Sequence, residues 1–425
     1  MYLVNNQGFV SSTTAYLRNM QHIAIFLSNT FNKQLLIHQL LEKKATGLLS
    51  MFNSSDMHLF SSYTLQQYLH EEDIHGYCGI EAARTQTLRS MSSGEQKKVL
   101  LQHLLSLKPG VLIVDNVFDN LDTAAQQSLK AELQQSANQT IFLQLFHRQR
   151  ELLPFIETTI TVNQQHEAVP VEKKATVTDE TSDQPIPAPL HHYAINSNEL
   201  VRFADVSVSY DGRQVLQHIN WTINKGEFWQ LKGPNGSGKT TLLTMITGDN
   251  VKGYGQELYI FNRKKGSGES VWEIKSKIGY LTPAMTDLFS TRHTLEQMIV
   301  SGFIDQIGLY SIPSDMQQRA AFEWMQLLQL EHKARLPFNK LSTGEQRLAL
   351  IARAMVKHPP LLILDEPLMG LDDTNAAKVI QLINKLAAES TTAILYVSHQ
   401  TEKGLEPQKV FELIKTENGS IGRVV

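Results

Sequence analysis

A glycine-rich run, GPNGSGKT at 233–240, has the composition and order of a phosphate-binding loop. Its glycines allow consecutive backbone N–H groups to turn toward phosphate oxygens at the start of a helix, and Lys239 adds a positive charge. The Thr240 hydroxyl and the carboxylate of Asp365, which ends the apolar run LLILD, are oxygen ligands suited to Mg²⁺ beside a nucleotide. The expected nucleotide contacts in this segment are Gly233, Pro234, Asn235, Gly236, Ser237, Gly238, Lys239, Thr240 and Thr241.

Two further residues are candidates for the chemical step. Glu366 directly follows Asp365 and can orient and deprotonate an attacking water molecule. His399 ends the apolar run ILYVSH, and its position predicts a contact near the terminal phosphate. A histidine with an ordinary packing role is the alternative for His399.

The motifs MSSGEQ at 91–96 and LSTGEQ at 341–346 each place a Glu three residues after a Ser and precede an apolar-periodic helix. This pattern predicts a capping box. A helix that begins in this way presents a hydroxyl, free N–H groups and a positive dipole end to a phosphate, and Gly94 or Gly344 permits close approach. We therefore expect each helix to cap a nucleotide that is bound to the other half of the chain.

The two halves are copies of one design. Ser92 to Asp115 and Ser342 to Asp365 both span 23 residues, and an aspartate follows 7 residues later in each half. An apolar strand ending in a histidine comes next, at His147 and at His399. These equal spacings predict an internal duplication.

Composition excludes several classes of protein. The formal charge of −3 argues against a dedicated nucleic-acid binder. The single cysteine, Cys78, excludes an intramolecular disulfide and a cysteine-rich zinc module. No segment approaches the roughly 18 to 20 apolar residues that span a bilayer, and the start lacks a secretory pattern, so we expect a cytoplasmic protein.

The chain divides into three predicted parts: a shortened first domain at 1–163, a flexible linker at 164–197 and a complete second domain at 198–425. Pro, Thr, Glu, Asp and Lys mix in the linker without a sustained apolar period. In both domains apolar strands alternate with helices, which predicts a mainly parallel sheet in an α/β fold. A helical insertion is expected at about 285–340.

The order of the motifs resembles that of the ATP-binding cassette ATPases. The motifs are the phosphate loop, LSTGEQ, LLILDEP, the GLD run and the terminal histidine. The resemblance extends over nearly the whole chain. It implies two P-loop NTPase domains, each with a mainly parallel sheet flanked by helices, an antiparallel β part and a helical insertion. It also implies head-to-tail pairing of the two domains around ATP and Mg²⁺.

The resemblance assigns ATP to a site between the second phosphate loop, with Glu366 and His399, and Ser92 and Gly94 of the first domain. Tyr210, which lies 29 residues before Lys239, stands where the family stacks an aromatic ring on adenine. A packing role in a strand is the alternative for Tyr210.

The reverse site departs from the family pattern. Its loop, SNTFNKQ at 28–34, has no glycine, and Asn116 stands where the catalytic Glu would be. Asn cannot accept a proton from water, although His147, Ser342 and Gly344 are retained. We therefore expect one competent ATP site in each chain.

The runs GYGQELYIFNRKKGSGESVWEIKSKIGY and LSTGEQRLALIARAMVKHP resemble duplicated cassette proteins of the ModF or photorepair type, which have no membrane domain. One alternative is the energy subunit of a molybdate-type importer, but Pro283 stands near the position where transporter members carry a Gln. A second alternative is a ribosome- or nucleic-acid-associated factor. Ribosome-acting tandem factors carry two intact phosphate loops and a long, charged, helical linker, and neither feature is present here. The basic run at 263–265 predicts a solvated turn rather than a nucleic-acid contact. The residues do not identify a client.

Overall fold

The computed structural model describes residues 22–29, 31–80, 86–119, 121–162, 168–170, 184–289, 293–309 and 311–425. The chain forms two compact units, Met1–Thr176 and Val177–Val425. The domain boundaries predicted at 163 and 197 stay predictions. Half of the predicted linker, 164–167 and 171–183, lies outside the described residues.

The first unit contains a parallel sheet with helices between its strands. Its strands are β1 (Ile23–Phe26), β2 (Met57–Ser61), β3 (Val111–Asp115), β4 (Ile141–Phe146), β5 (Thr158–Val162) and β6 (Ala168–Pro170). Its helices are α1 (Lys33–Leu41), α2 (Ser62–His75), α3 (Ser93–Ser106) and α4 (Thr123–Ser136). The strand order is β2-β3-β4-β1-β5-β6, in which only β5 and β6 pair in antiparallel fashion.

The second unit repeats this plan with additional elements. Its strands are β7 (Glu199–Tyr210), β8 (Arg213–Asn224), β9 (Phe228–Lys232), β10 (Leu258–Ile260), β11 (Arg263–Lys264), β12 (Ile278–Leu281), β13 (Leu361–Asp365), β14 (Ala393–Ser398), β15 (Lys409–Thr416) and β16 (Gly419–Val424). Its helices are α5 (Lys239–Ile246), α6 (Val271–Lys275), α7 (Met285–Leu288), α8 (Leu295–Val300), α9 (Asp315–Leu327), α10 (Thr343–Met355) and α11 (Asp373–Glu389).

The strand order of the second sheet is β11-β10-β7-β8-β16-β15-β9-β14-β13-β12. Its segment from β12 to β16 has the same order as the whole first sheet, with β9, β13 and β14 corresponding to β1, β3 and β4. The strands β7, β8, β10 and β11 form the antiparallel part. This arrangement confirms the predicted α/β class.

The central strands are buried on both faces, which is why they read as continuous apolar runs. In β13, Leu362 and Leu364 pack into a core with the helical insertion, whereas Leu361 and Ile363 pack into a second core that includes α5. Successive side chains of a strand point to opposite faces, so one short apolar run contributes to both cores.

The two units differ most in the segment after β2 and β12. In the first unit the described residues between β2 and Leu88 contain one helix, α2. In the second unit the described residues of the corresponding interval contain three helices, α7 to α9. The helical insertion expected at about 285–340 is therefore present, and its counterpart is reduced.

Residues 184–197 belong to the second unit and contact the rest of it. The Tyr193 hydroxyl donates to the Ser276 carbonyl at 2.8 Å, and Lys225 Nζ donates to the Ile195 carbonyl at 2.6 Å. Ile186 packs against the core on the helical side. This part of the predicted linker therefore makes specific contacts that its composition did not predict.

No helix in the described part of the chain is long and apolar enough to span a membrane.

Candidate functional site

The glycine-rich loop connects β9 to the first turn of α5. Gly238 caps this helix with φ = 94°, and a Cβ added there would lie 2.6 Å from Leu216 Cδ2. A Cβ at Gly233 would lie 2.7 Å from Ser237 Oγ and 2.9 Å from the Leu413 carbonyl oxygen. Both positions therefore require glycine, one for its backbone conformation and both for lack of space.

Polar groups in this loop are suited to an anion. Lys239 Nζ donates to the carbonyls of Gly233 at 2.7 Å and Pro234 at 3.1 Å. The Ser237 side chain is fully buried, and its Oγ has no hydrogen-bond partner among the described residues. A buried hydroxyl without a partner is costly unless a ligand satisfies it. The ammonium, this hydroxyl and the N-terminus of α5 together fit a nucleotide phosphate.

Glu366 directly follows β13 and adopts a backbone conformation that is uncommon for a residue with a side chain. Its φ is 49°, and its N–H donates to the Val397 carbonyl at 3.0 Å. His399 Nδ1 lies 3.0 Å from Glu366 Oε1. Because an ionised carboxylate only accepts, His399 donates through Nδ1 and thereby orients the glutamate.

Asp365 lies one residue earlier, at the end of β13. Burial and the neighbouring charge of Glu366 raise its pKa to about 6, while the positive charge of Lys239 opposes this shift. Mg²⁺ is commonly held by one or two carboxylates together with substrate phosphates. Asp365 and the exposed Thr240, the second residue of α5, have oxygen donors that fit this ion.

The predicted residues of the second unit follow three neighbouring strands. The phosphate loop follows β9, Glu366 follows β13, and His399 follows β14, which lies between them in the sheet. The carboxyl ends of adjacent parallel strands meet at one edge, which is where open α/β sheets bind ligands.

Tyr210 lies at the end of β7 in the antiparallel part, with 38% of its surface exposed. Its hydroxyl accepts from Asn250 Nδ2 at 2.8 Å, and Lys252 Nζ lies 5.6 Å from the ring centroid. The sequence did not predict these partners. The run Gly-Asp-Asn at 248–250 indicates a turn, but it does not indicate which side chain the amide contacts.

The two signature helices begin in the same way. Ser92 caps α3 and Ser342 caps α10, both with φ = −64° and ψ = 158°, and each forms the predicted capping box with the Glu three residues later. The glycines differ in their surroundings. A Cβ on Gly94 would lie 3.2 Å from Ala125 Cβ, whereas one on Gly344 would lie 2.1 Å from Asn375 Oδ1.

The first unit uses the equivalent positions differently. Lys33 Nζ forms an ion pair with Asp115 Oδ1 at 3.0 Å, and these residues correspond to Lys239 and Asp365. Asn116 has φ = 48°, close to the value at Glu366. His147 Nδ1 donates to the Leu27 carbonyl at 2.8 Å, and burial lowers the pKa of this histidine. The backbone of the site is therefore retained, while its charged groups bond within the unit.

Comparison with known proteins identifies the family to which this site belongs. The family profile described as ABC transporter matches residues 216–369, which include the phosphate loop, Asp365 and Glu366. The ABC transporter ATP-binding protein ModF of Escherichia coli (strain K12) is 37% identical over 340 residues, covering 76% of this chain and 69% of that protein. The chain belongs to the ATP-binding cassette ATPases. It is an ATP-binding enzyme of the ModF type that hydrolyses ATP.

A second sequence relative and a solved structure are also similar to this cassette ATPase. An uncharacterized ABC transporter ATP-binding protein of Schizosaccharomyces pombe (strain 972 / ATCC 24843) is 29% identical, covering 75% of this chain and 66% of that protein. Among solved structures, cbiO1 from Clostridium perfringens, part of the ABC transporter complex cbiONQ, has a TM-score of 0.46 and 24% identity, covering 51% of this chain and 85% of that one. The chain thus spans about two thirds of the length of the two sequence relatives.

Proposed function

We propose that this chain binds and hydrolyses Mg-ATP at one composite site, formed by the phosphate loop of the second unit and the signature helix of the first. Ser92 and Gly94 at the start of α3 would contact the terminal phosphate from the opposite side. ATP would draw the two units together, and hydrolysis would release them. We further propose that this work takes place in the cytoplasm.

The observation that carries this proposal is the different use of equivalent residues in the two units. In the second unit a carboxylate, Glu366, is oriented by His399 at 3.0 Å. In the first unit Asn116 replaces that carboxylate, and Lys33 is paired with Asp115 at 3.0 Å. An ammonium that already neutralises the aspartate competes with a metal ion for the same carboxylate.

Each residue of the second site has a role in the proposed reaction. Lys239 exchanges its two loop carbonyls for phosphate oxygens, and Ser237 gains the partner that its buried hydroxyl lacks within the described residues. Glu366 orients a water molecule and accepts its proton, while His399 holds the glutamate through Nδ1. Asp365 and Thr240 would hold Mg²⁺, which supplies charge neutralisation on the phosphates when bound.

The stoichiometry of bound ATP tests the proposal. Glu366→Gln should bind ATP without turning it over, so the complex can be measured by equilibrium dialysis of the full chain with Mg²⁺. We expect one ATP per chain, lost when Lys239→Ala is added and retained when Lys33→Ala is added instead. Two ATP per chain would contradict the one-site proposal, and loss through Lys33→Ala alone would assign binding to the first unit.

The energy subunit of an importer is a second candidate. The family profile described as ABC transporter and a relative named ABC transporter ATP-binding protein favour it. Pro283 argues against it, because this residue stands near the Gln position of transporter members and begins the turn into α7. ATP hydrolysis that requires added membranes would favour this candidate over the first.

A further inference from the structure

The side chain of Asn250 joins three parts of the nucleotide-binding region. Asn250 Nδ2 donates to the Tyr210 hydroxyl at 2.8 Å and to Thr244 Oγ1 at 3.1 Å. Asn250 Oδ1 accepts from the Lys252 N–H at 3.0 Å. A primary amide has two donor hydrogens and one acceptor oxygen, so both hydrogens and the oxygen are engaged.

These contacts connect the predicted adenine-stacking ring to the phosphate-binding helix. Thr244 lies on α5, and its hydroxyl donates to the Thr240 carbonyl in the first turn of that helix at 2.8 Å. Tyr210 ends β7, which belongs to the antiparallel part of the sheet. One amide therefore fixes the ring of a distant strand against the helix that begins at the phosphate loop.

Lys252 adds a second constraint on the same ring. The Asn250 Oδ1 bond fixes the backbone at the start of the turn Val251–Gly253, and Lys252 Nζ lies over the Tyr210 ring at 5.6 Å from its centroid. A cation over one ring face draws on the electron density of the ring and covers that face. The ring is still 38% exposed, so surface remains for a planar ligand.

We propose that Asn250 is a positioning residue for the nucleotide base. It sets the distance and tilt of the Tyr210 ring relative to the phosphate loop, and the turn that carries Lys252 supports the covered face. The base of ATP then stacks on the other face while its phosphates occupy the loop. This inference rests on the proposed ATP site in the second unit.

A purely structural role for Asn250 makes a different prediction. If the amide only stabilises the turn after α5, its loss disturbs phosphate and base binding alike. If it acts through Tyr210, its loss weakens ligands that carry a base and spares ligands that consist of phosphate alone. Inorganic tripolyphosphate, which has neither base nor ribose, separates the two roles.

The experiment is calorimetric titration of the full chain in the Glu366→Gln background with Mg-ATP and, separately, with Mg-tripolyphosphate. The variants are Asn250→Ala, Tyr210→Phe and the combination of the two. The matched control is Asn220→Ala, which removes a side-chain amide from β8 in the same antiparallel part. Asn220 Oδ1 accepts from the Asp205 N–H at 2.9 Å, and Asn220 Nδ2 donates to the His218 carbonyl at 3.1 Å.

We expect Asn250→Ala and Tyr210→Phe each to weaken ATP binding about 5-fold, the usual net effect of one hydrogen bond. The double variant should bind ATP as tightly as Asn250→Ala alone, because both changes remove the same hydrogen bond between Asn250 and Tyr210. Tripolyphosphate affinity should stay at the parent value in all of them, and Asn220→Ala should match the parent for both ligands.

Three results would overturn the inference: ATP affinity unchanged in Asn250→Ala, equal weakening of ATP and tripolyphosphate, or additive losses in the double variant. If the Glu366→Gln parent binds neither ATP nor tripolyphosphate, the proposed function fails as well. If the parent binds both ligands and one of the three results above is found, only the inference about Asn250 fails.

Discussion

At the scale of single residues, the same backbone turn carries different side chains in the two units. Glu366 has φ = 49° and Asn116 has φ = 48° at the equivalent turn of the first unit. Left-handed backbone costs an L residue about 1 to 2 kcal/mol, so the surrounding structure must impose it at both positions. The turn after the strand is therefore a property of the fold, and the side chain placed on it decides whether a base is present.

This difference predicts the effect of removing the base. Glu366→Gln keeps the shape of the side chain and removes proton acceptance, so the turnover of ATP should fall at least about 100-fold while ATP still binds. Steady-state hydrolysis and nucleotide binding of the purified full chain check it. Glu389→Gln, the same change at the end of α11, is the matched control and should leave the rate unchanged. Unaltered turnover in Glu366→Gln would remove this residue from the mechanism.

The raised pKa of Asp365 should make the stability of the nucleotide-free chain depend on pH. Burial raises its pKa to about 6, above the value of about 3.9 that an unfolded Asp has. Between these two values the folded state holds a proton that the unfolded state has lost, so the contribution of Asp365 to stability falls as pH rises from about 4 to 6. Above pH 6 the cost of the buried charge remains in full.

Asp365→Asn should therefore raise the melting temperature relative to the parent chain, and the gain should be larger at pH 7.5 than at pH 5. Thermal unfolding without nucleotide or metal, at several pH values, measures this difference. Asp119 also has its pKa raised to about 6 by burial, so the parent curve alone is not diagnostic. A difference between variant and parent that does not change with pH would contradict the assignment.

At the scale of elements, the sequence predicted the strands, the capped helices and the helical insertion because these depend on local patterns. The same residue types recur with the same spacing around Ser92 and Ser342, and both helices begin with the same cap. The sequence did not predict the Lys33 pair with Asp115 or the bond from Asn250 to Tyr210. These contacts join residues 82 and 40 positions apart, and side-chain pairing over such separations depends on packing rather than on local pattern.

The structure also changes how the signature helices should be tested. Gly344→Asp is a poor control for Gly94→Asp, because a Cβ at Gly344 would lie 2.1 Å from Asn375 Oδ1. That substitution would disturb packing within the second unit. The two serine caps are better matched, because their geometry and capping boxes are the same.

Ser92→Ala and Ser342→Ala should each cost about 1 kcal/mol of stability, the usual effect of losing an N-cap. Only Ser92→Ala should lower ATP turnover, because the proposed site uses the helix of the first unit. Thermal unfolding and steady-state hydrolysis of both variants check the two halves of this prediction. Equal loss of turnover in both variants would favour sites that use both signature helices.

At the scale of the whole molecule, the two units share one order of strands but carry different residues at the equivalent site positions. The first unit retains the strand order of the parallel core, and it has Lys33 bonded to Asp115 where the second unit has Lys239 and Asp365. The loop of the first unit has no glycine, and Asn116 stands in place of the carboxylate, whereas the capped signature helix α3 is present. We therefore propose that the first unit completes the site of the second unit within the same chain.

Mixing two inactive variants tests this claim most directly. Lys239→Ala inactivates the phosphate loop and leaves the signature helix of the first unit intact, whereas Gly94→Asp does the reverse by placing a negative charge at the proposed phosphate contact. ATP hydrolysis by the equimolar mixture is compared with each variant alone and with the parent chain, without membranes. We expect an active parent, two inactive variants and an inactive mixture, because each chain would complete its own site. Restored hydrolysis in the mixture would show that the phosphate loop of one chain pairs with the signature helix of another, and would contradict the proposed site within a single chain.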